Sequence, residues 1–144
     1  MSHENVDLVR QLQPGPDVDI AAFFRDEATA RAALEAAAPL FDPSFEAITH
    51  GAIQGKHGHG PEGLQAIWLD WLEPWESYRT EIENIIDAGD QVVVLTRDSG
   101  RPVGADGEVA VTGAAIWTVR DGKLTRAEFF ADRREALKAA GLGE

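Results

Sequence analysis

EVAVTGAAIWTVRDGKLTRAEFFAD, residues Glu108 to Asp132, is the stretch that decides the fold. Two runs rich in β-branched and aromatic residues flank Asp121-Gly122. An Asp-Gly pair in that setting signals a two-residue hairpin, because both turn positions need φ > 0. The turn dictates a register: Arg120 opposite Lys123, Trp117 opposite Arg126, Ile116 opposite Ala127, Ala115 opposite Glu128 and Ala114 opposite Phe129. One face of the hairpin then carries Val111, Ala115, Trp117, Val119, Leu124 and Phe130, with Arg126 and Glu128 among them. The other carries Thr112, Ala114, Ile116, Thr118, Thr125, Ala127 and Phe129. Both faces are largely apolar, so both need cover. A curved sheet with a pocket on one side meets that need.

Working outward, Glu76 to Asp87 alternates Tyr78, Thr80, Ile82 and Ile86 with Arg79, Glu81, Glu83 and Asp87, a long half-buried strand. Asp87 to Asp90 turns it into the strand Val92 to Arg97, and a loop is expected from Asp98 to Gly107. Beyond the hairpin, Asp132 can cap a closing helix over Arg133 to Ala140, ended by Gly141. Upstream, Pro61 suits a first helical position, and Leu64, Ile67, Trp68, Trp71 and Leu72 recur at i, i+3, i+4, i+7 and i+8. That aromatic stripe serves equally as core and as a pocket wall, since a wall is also a helix face. Pro74 stops the helix and leaves Trp75 at the joint with the next strand.

Gly51 to Gly60 (GAIQGKHGHG) reads as a solvated loop. His57 and His59 invite a metal reading, but no nearby carboxylate or further histidine completes a ligand set, so no metal is expected. Before the loop come a helix over residues 3–13 with Ser2 as its cap, a second short helix capped by Asp17, and an alanine-rich helix from Glu27 to Ala38. Asp42-Pro43 is expected to turn, and Phe45 to His50 to form a short strand. The order is helices, strand, helix, then a four-strand antiparallel meander, an α+β arrangement.

At 144 residues the chain fits one domain, 1–144, with no repeat or linker to divide it. The absence of cysteine excludes disulfides and thiolate chemistry. A net charge of −12, from 25 acidic and 13 basic residues, disfavours nucleic acid and anionic membranes as partners. No signal peptide or membrane span is legible, so a cytoplasmic location is expected. No phosphate-cradling glycine motif appears, and no cofactor is expected.

GPEGLQAIWLDWLEPWESYRTEIENIIDAGDQVVVLTR followed by IWTVRDGKLTRAEFFADRREALKAAGL resembles the SnoaL-like proteins of the nuclear transport factor 2-like superfamily, over roughly residues 17–142. The resemblance implies a cone: N-terminal helices packed on a strongly curved antiparallel sheet, with a pocket entering the wide end. The superfamily holds polyketide cyclases, ketosteroid isomerases, epoxide hydrolases, dehydratases and pocket proteins without assigned chemistry, so the fold does not choose among them. The last-strand carboxylate of epoxide hydrolases and SnoaL-type cyclases falls on Phe129, and the hydrolases' water-holding tyrosine and asparagine fall on Phe45 and Ala47. Of the hydrolases' arginine–aspartate pair, Thr96 and Asp98 stand in the places, so the aspartate alone survives. A ketosteroid-isomerase set is not evident, since Tyr78, the only tyrosine, falls outside the first helix.

The resemblance turns Thr96, Asp98, Thr112, Ala114, Ile116 and Phe129 towards the pocket, which Trp68, Trp71 and Tyr78 complete. It turns Trp117, Arg126, Glu128 and Phe130 to the outer sheet face, where they form a homodimer contact. Three readings follow. The preferred one is a pocket protein that binds a small, mostly apolar ligand. A second is a proton-transfer enzyme of isomerase, dehydratase or cyclase type with Asp98 as its catalytic carboxylate. The third is a structural or interaction domain with a filled cone.

Overall fold

The Asp121-Gly122 turn forms as expected: φ is +53° at the aspartate and +76° at the glycine, and Arg120 pairs with Lys123. It joins two strands of a six-stranded, strongly curved and unclosed sheet. In the computed structural model, which describes residues 2–50 and 57–142, the strands are β1 (Phe41–His50), β2 (His57–His59), β3 (Trp75–Ala88), β4 (Gln91–Pro102), β5 (Val109–Arg120) and β6 (Lys123–Phe130). Their order across the sheet is β2-β1-β6-β5-β4-β3. The expected meander is β3 to β6. β1 joins it parallel to β6, and β2 pairs antiparallel on its free side. The helices are α1 (Ser2–Gln11), α2 (Ile20–Arg25), α3 (Glu27–Ala37), α4 (Gly60–Leu72) and α5 (Arg133–Ala139). Among the described residues, no helix is long and apolar enough to cross a membrane.

The hairpin register holds for only two pairs. Beyond Val119–Leu124 a bulge gives β6 one extra residue, so Thr118 pairs with Arg126 and Trp117 with Ala127. Thr125 is the extra residue, and its hydroxyl donates to the Thr118 carbonyl at 3.3 Å. A one-residue slip exchanges the faces of a strand, and the consequence here is large. Trp117, Ala115 and Val119 lie on the concave face with Leu124, Ala127 and Phe129. Ala114 and Ile116 lie on the convex face with Phe130, under α5. The placements of Thr112, Ala114 and Ile116 towards the pocket, and of Trp117 on the outer face, are therefore corrected. Trp117 is 5% exposed and belongs to the main core, so it offers nothing to a dimer contact. Arg126, Glu128 and Phe130 do lie on the convex side, although Phe130 is itself buried.

A second bulge, at Glu83 in β3, shifts Ile85 to the concave core and Ile86 to the convex cluster. It also turns Glu83 to the convex side, where Arg97 donates to it at 2.8 Å and Arg133 at 2.5 Å. Arg133 also donates to the Thr96 carbonyl at 2.5 Å, which ties the start of α5 to the sheet. The Arg133 hydrogen bond, then that of Arg97, holds the Glu83 carboxyl below its usual range. A carboxyl depressed by folding contributes stability above its unfolded pKa and loses it as pH falls through the folded value. The protection of α5 amides, taken relative to their intrinsic exchange rates, should therefore fall on acidification before that of the concave core. Glu83→Gln should remove that pH dependence.

Helices α1, α2 and α4 cover the concave face, and α5 packs on the convex one. Asp19, rather than Asp17, caps α2: its carboxylate accepts from Ala21 N at 3.1 Å and also from Tyr78 N at 3.1 Å, joining the helix to β3. Arg25, at the other end of α2, donates to the Leu72 carbonyl at 2.8 Å and the Trp75 carbonyl at 2.5 Å. Pro39 lies in a 3-10 turn, Ala38–Leu40, and β1 starts at Phe41, so Asp42-Pro43 is strand rather than turn. The Ser2 cap and the loop residues 51–56 lie outside the described side chains and residues.

Candidate functional site

Asp98 is not in a loop. β4 continues to Pro102, and Asp98 pairs with Thr80 on one side and Val111 on the other. Strand alternation from the buried Val92 and Val94 through Thr96 puts Asp98 on the concave face. There Tyr78 Oη donates to Asp98 Oδ2 at 2.5 Å, and Thr80 Oγ1 donates to Oδ1 at 2.5 Å. Both oxygens thus hold a hydroxyl, and each retains a lone pair for a further donor. Asp98 is half-buried, Thr80 is buried and Tyr78 is 1% exposed. Burial first, then the Asp98 charge and hydrogen bond, push the Tyr78 phenol well above the usual tyrosine range. It stays a protonated donor throughout the neutral range.

An aromatic layer runs across the cone from this group. Trp75 meets Tyr78 edge-on at 5.1 Å, and Trp68 meets Tyr78 at 6.5 Å. Trp68 stacks on Phe24 at 5.8 Å and meets Phe129 edge-on at 6.1 Å. Phe129 in turn meets Trp117 at 6.0 Å. Trp71 meets Tyr78 edge-on at 6.2 Å and is 49% exposed, the one member of the layer that faces water broadly. The Trp117 indole N–H is buried with no hydrogen-bond partner among the described residues.

Of the predicted site residues, Trp68, Trp71, Tyr78, Thr96, Asp98 and Phe129 therefore share the concave side, and Thr112, Ala114 and Ile116 do not. Trp117, Thr80 and Trp75 join the first group. Trp117, edge-on to Phe129, occupies the concave face where Ala114 and Ile116 are expected. Two open concavities, of about 560 Å³ beside Asn5, Leu8 and Asp90 and about 410 Å³ beside Arg97, Val111 and Thr112, lie elsewhere. Neither is lined by Trp68, Tyr78 or Asp98.

The histidine pair also departs from expectation. His57 and His59 form β2, and its pairing with β1 brings Glu46, eleven residues upstream of His57, against them. A carboxylate does join the pair. Only the strand pairing reveals it, because the intervening segment hides the partner in the sequence.

A helix-filled cone with an unclosed sheet is the nuclear transport factor 2-like architecture, and solved structures of that class superpose on it. An NTF2-like protein of unknown function from Burkholderia pseudomallei K96243 matches with a TM-score of 0.62 and 16% identity, covering 94% of this chain and 95% of its own. A protein from Jannaschia sp. CCS1 named as a SnoaL-like polyketide cyclase matches at 0.63 and 22% identity, covering 99% and 94%. TerC, co-crystallised with polyporic acid, matches at 0.63 and 20% identity, covering 96% and 98%. The SnoaL-like domain model matches residues 20–127, and the chain belongs to that family. Among curated proteins, none matches by sequence.

Proposed function

We propose that the protein binds a small, mostly apolar molecule at the Trp71–Tyr78–Asp98 end of the concave face, with Asp98 gripping a hydroxyl, enol or ammonium group. The observation that carries this reading is the Asp98 carboxylate, held inward by two hydroxyls beneath an aromatic layer. A half-buried carboxylate with free lone pairs and apolar walls is the mix of few polar groups and much apolar surface that ligand sites use. Trp71, exposed and edge-on to Tyr78, is the side chain whose rotation admits the molecule. The same carboxylate would accept the proton in an isomerisation, dehydration or cyclisation.

The tight aromatic contacts favour a second reading, a filled cone that acts as an interaction domain. Titration with a panel of apolar fragments, each carrying one hydroxyl, carbonyl or amine, separates the two through tryptophan fluorescence. Saturable binding is expected, weakened roughly tenfold or more by Asp98→Asn, the loss of one charged hydrogen bond. Binding indifferent to that substitution removes Asp98 from the site. No binding at all favours the filled cone.

A further inference from the structure

We infer that Glu46, His57 and His59 form a binding site for a divalent first-row transition metal, zinc foremost, on the convex face of the β1–β2 edge. The ligand-forming atoms of the three side chains all lie within 4.8 Å of one another. Glu46 stands directly opposite His59 in the strand register, and His57 follows two residues away on the same face. His57 Nε2 lies 3.4 Å from Glu46 Oε1. Two ligands at bond lengths of about 2.1 Å in a tetrahedral shell stand about 3.4 Å apart, so this pair already has the spacing a bound ion requires. The remaining contraction is a rotamer adjustment of exposed imidazoles.

The backbone supports the arrangement. Gly58, between the two histidines, faces the other way, onto the first turn of α4. A Cβ built on it would lie 2.8 Å from the Gly63 Cα, so only glycine lets β2 lie so close. The two imidazoles are thereby committed to the opposite face, beside Glu46. His59 occupies the N-cap position of α4 without capping it by its side chain, which leaves that ring for another partner. Two imidazoles and one carboxylate suit zinc and its neighbours, with water completing the shell. The net charge of −12 favours cation accumulation. Arg126, 3.5 Å from Glu46 Oε1 in a loose contact, is the competing cation and must swing aside. A bound ion would clip the three-residue edge strand to β1 and fix the entry to α4, which carries Trp68 and Trp71.

Calorimetric titration of tag-free protein with zinc ion alone tests the site, with circular dichroism confirming that each variant folds. One ion per chain is expected at micromolar affinity, with His57→Ala and His59→Ala each weakening it at least about tenfold and Glu46→Gln about fivefold. His50→Ala should bind as the wild type does. Arg126→Gln should bind more tightly. Zinc at a hundredfold excess over Kd should raise Tm by roughly 5–10 °C. Absence of saturable binding overturns the site. Full affinity in Glu46→Gln overturns it too, leaving only a two-histidine chelate, and weaker binding in Arg126→Gln contradicts the geometry.

Discussion

Trp117→Ala should cost the fold about 3–5 kcal/mol, measured by chemical unfolding, as for other buried Trp-to-Ala changes. The indole is 5% exposed, packs edge-on against Phe129 at 6.0 Å, and shares the main core with Phe45, Ala47, Val92 and Val94. Its removal opens a cavity in the centre of the concave face, where strands of the curved sheet cannot collapse inward. Trp117→Glu should be worse and leave the chain unfolded, since a carboxylate there would be desolvated with no partner. Trp117→Phe should cost clearly less than alanine. It keeps an aromatic ring beside Phe129 and removes an N–H that has no partner among the described residues. If Trp117→Glu instead folded normally and changed only the association state, the inward placement of Trp117 would be refuted.

The second large effect belongs to Tyr78. Tyr78→Phe should cost about 1.5–3 kcal/mol at neutral pH, the range for a hydrogen bond to a charged group. Thr80 alone would then hold Asp98. The pH dependence has a definite sign. Folding raises the phenol above the usual tyrosine range, chiefly by burial and then by the neighbouring Asp98 charge. The stabilisation tied to this shift is complete below the unfolded pKa, about 10, and falls away as pH rises above it. Tyr78 is the only tyrosine in the chain, so phenolate absorbance reports on it alone. That absorbance should stay absent until the protein unfolds, and in Tyr78→Phe the extra alkaline sensitivity should vanish. Phenolate appearing at ordinary pH in the folded protein would mean that the hydroxyl faces water.

The fold was largely legible because its decisive signals are local. Asp121-Gly122 specifies a turn by backbone geometry alone, and the stripe from Leu64 to Leu72 specifies a helix by its period. The face assignments were not so accessible, because a bulge is a one-residue event whose effect reaches every residue beyond it. Leu124 and Ala127, three apart with Thr125-Arg126 between them, cannot share a face of a regular strand, and it is the bulge that puts both in the concave core. Glu83 hides the equivalent shift in β3. Asp98 read as a loop residue because glycines and a proline follow it, but a strand partner on each side keeps β4 extended to Pro102. The Asp98–Tyr78–Thr80 group joins residues 18 and 20 apart in sequence. Only pairing of β3 with β4 brings them together, and pairing of β1 with β2 does the same for Glu46 and the histidines.

In the function proposed above, the concave face around Asp98, and not the convex face, receives a small molecule. Backbone and indole amide shifts mapped by NMR during titration with the fragment panel test it most directly. Saturable shifts are expected at Trp71, Tyr78, Thr80 and Asp98, extending to the Trp68 indole, and lost in Asp98→Asn while the rest of the spectrum is kept. Shifts confined to the convex face at Ile48, Thr118 and Glu128, or no saturable shift with any fragment, would contradict it.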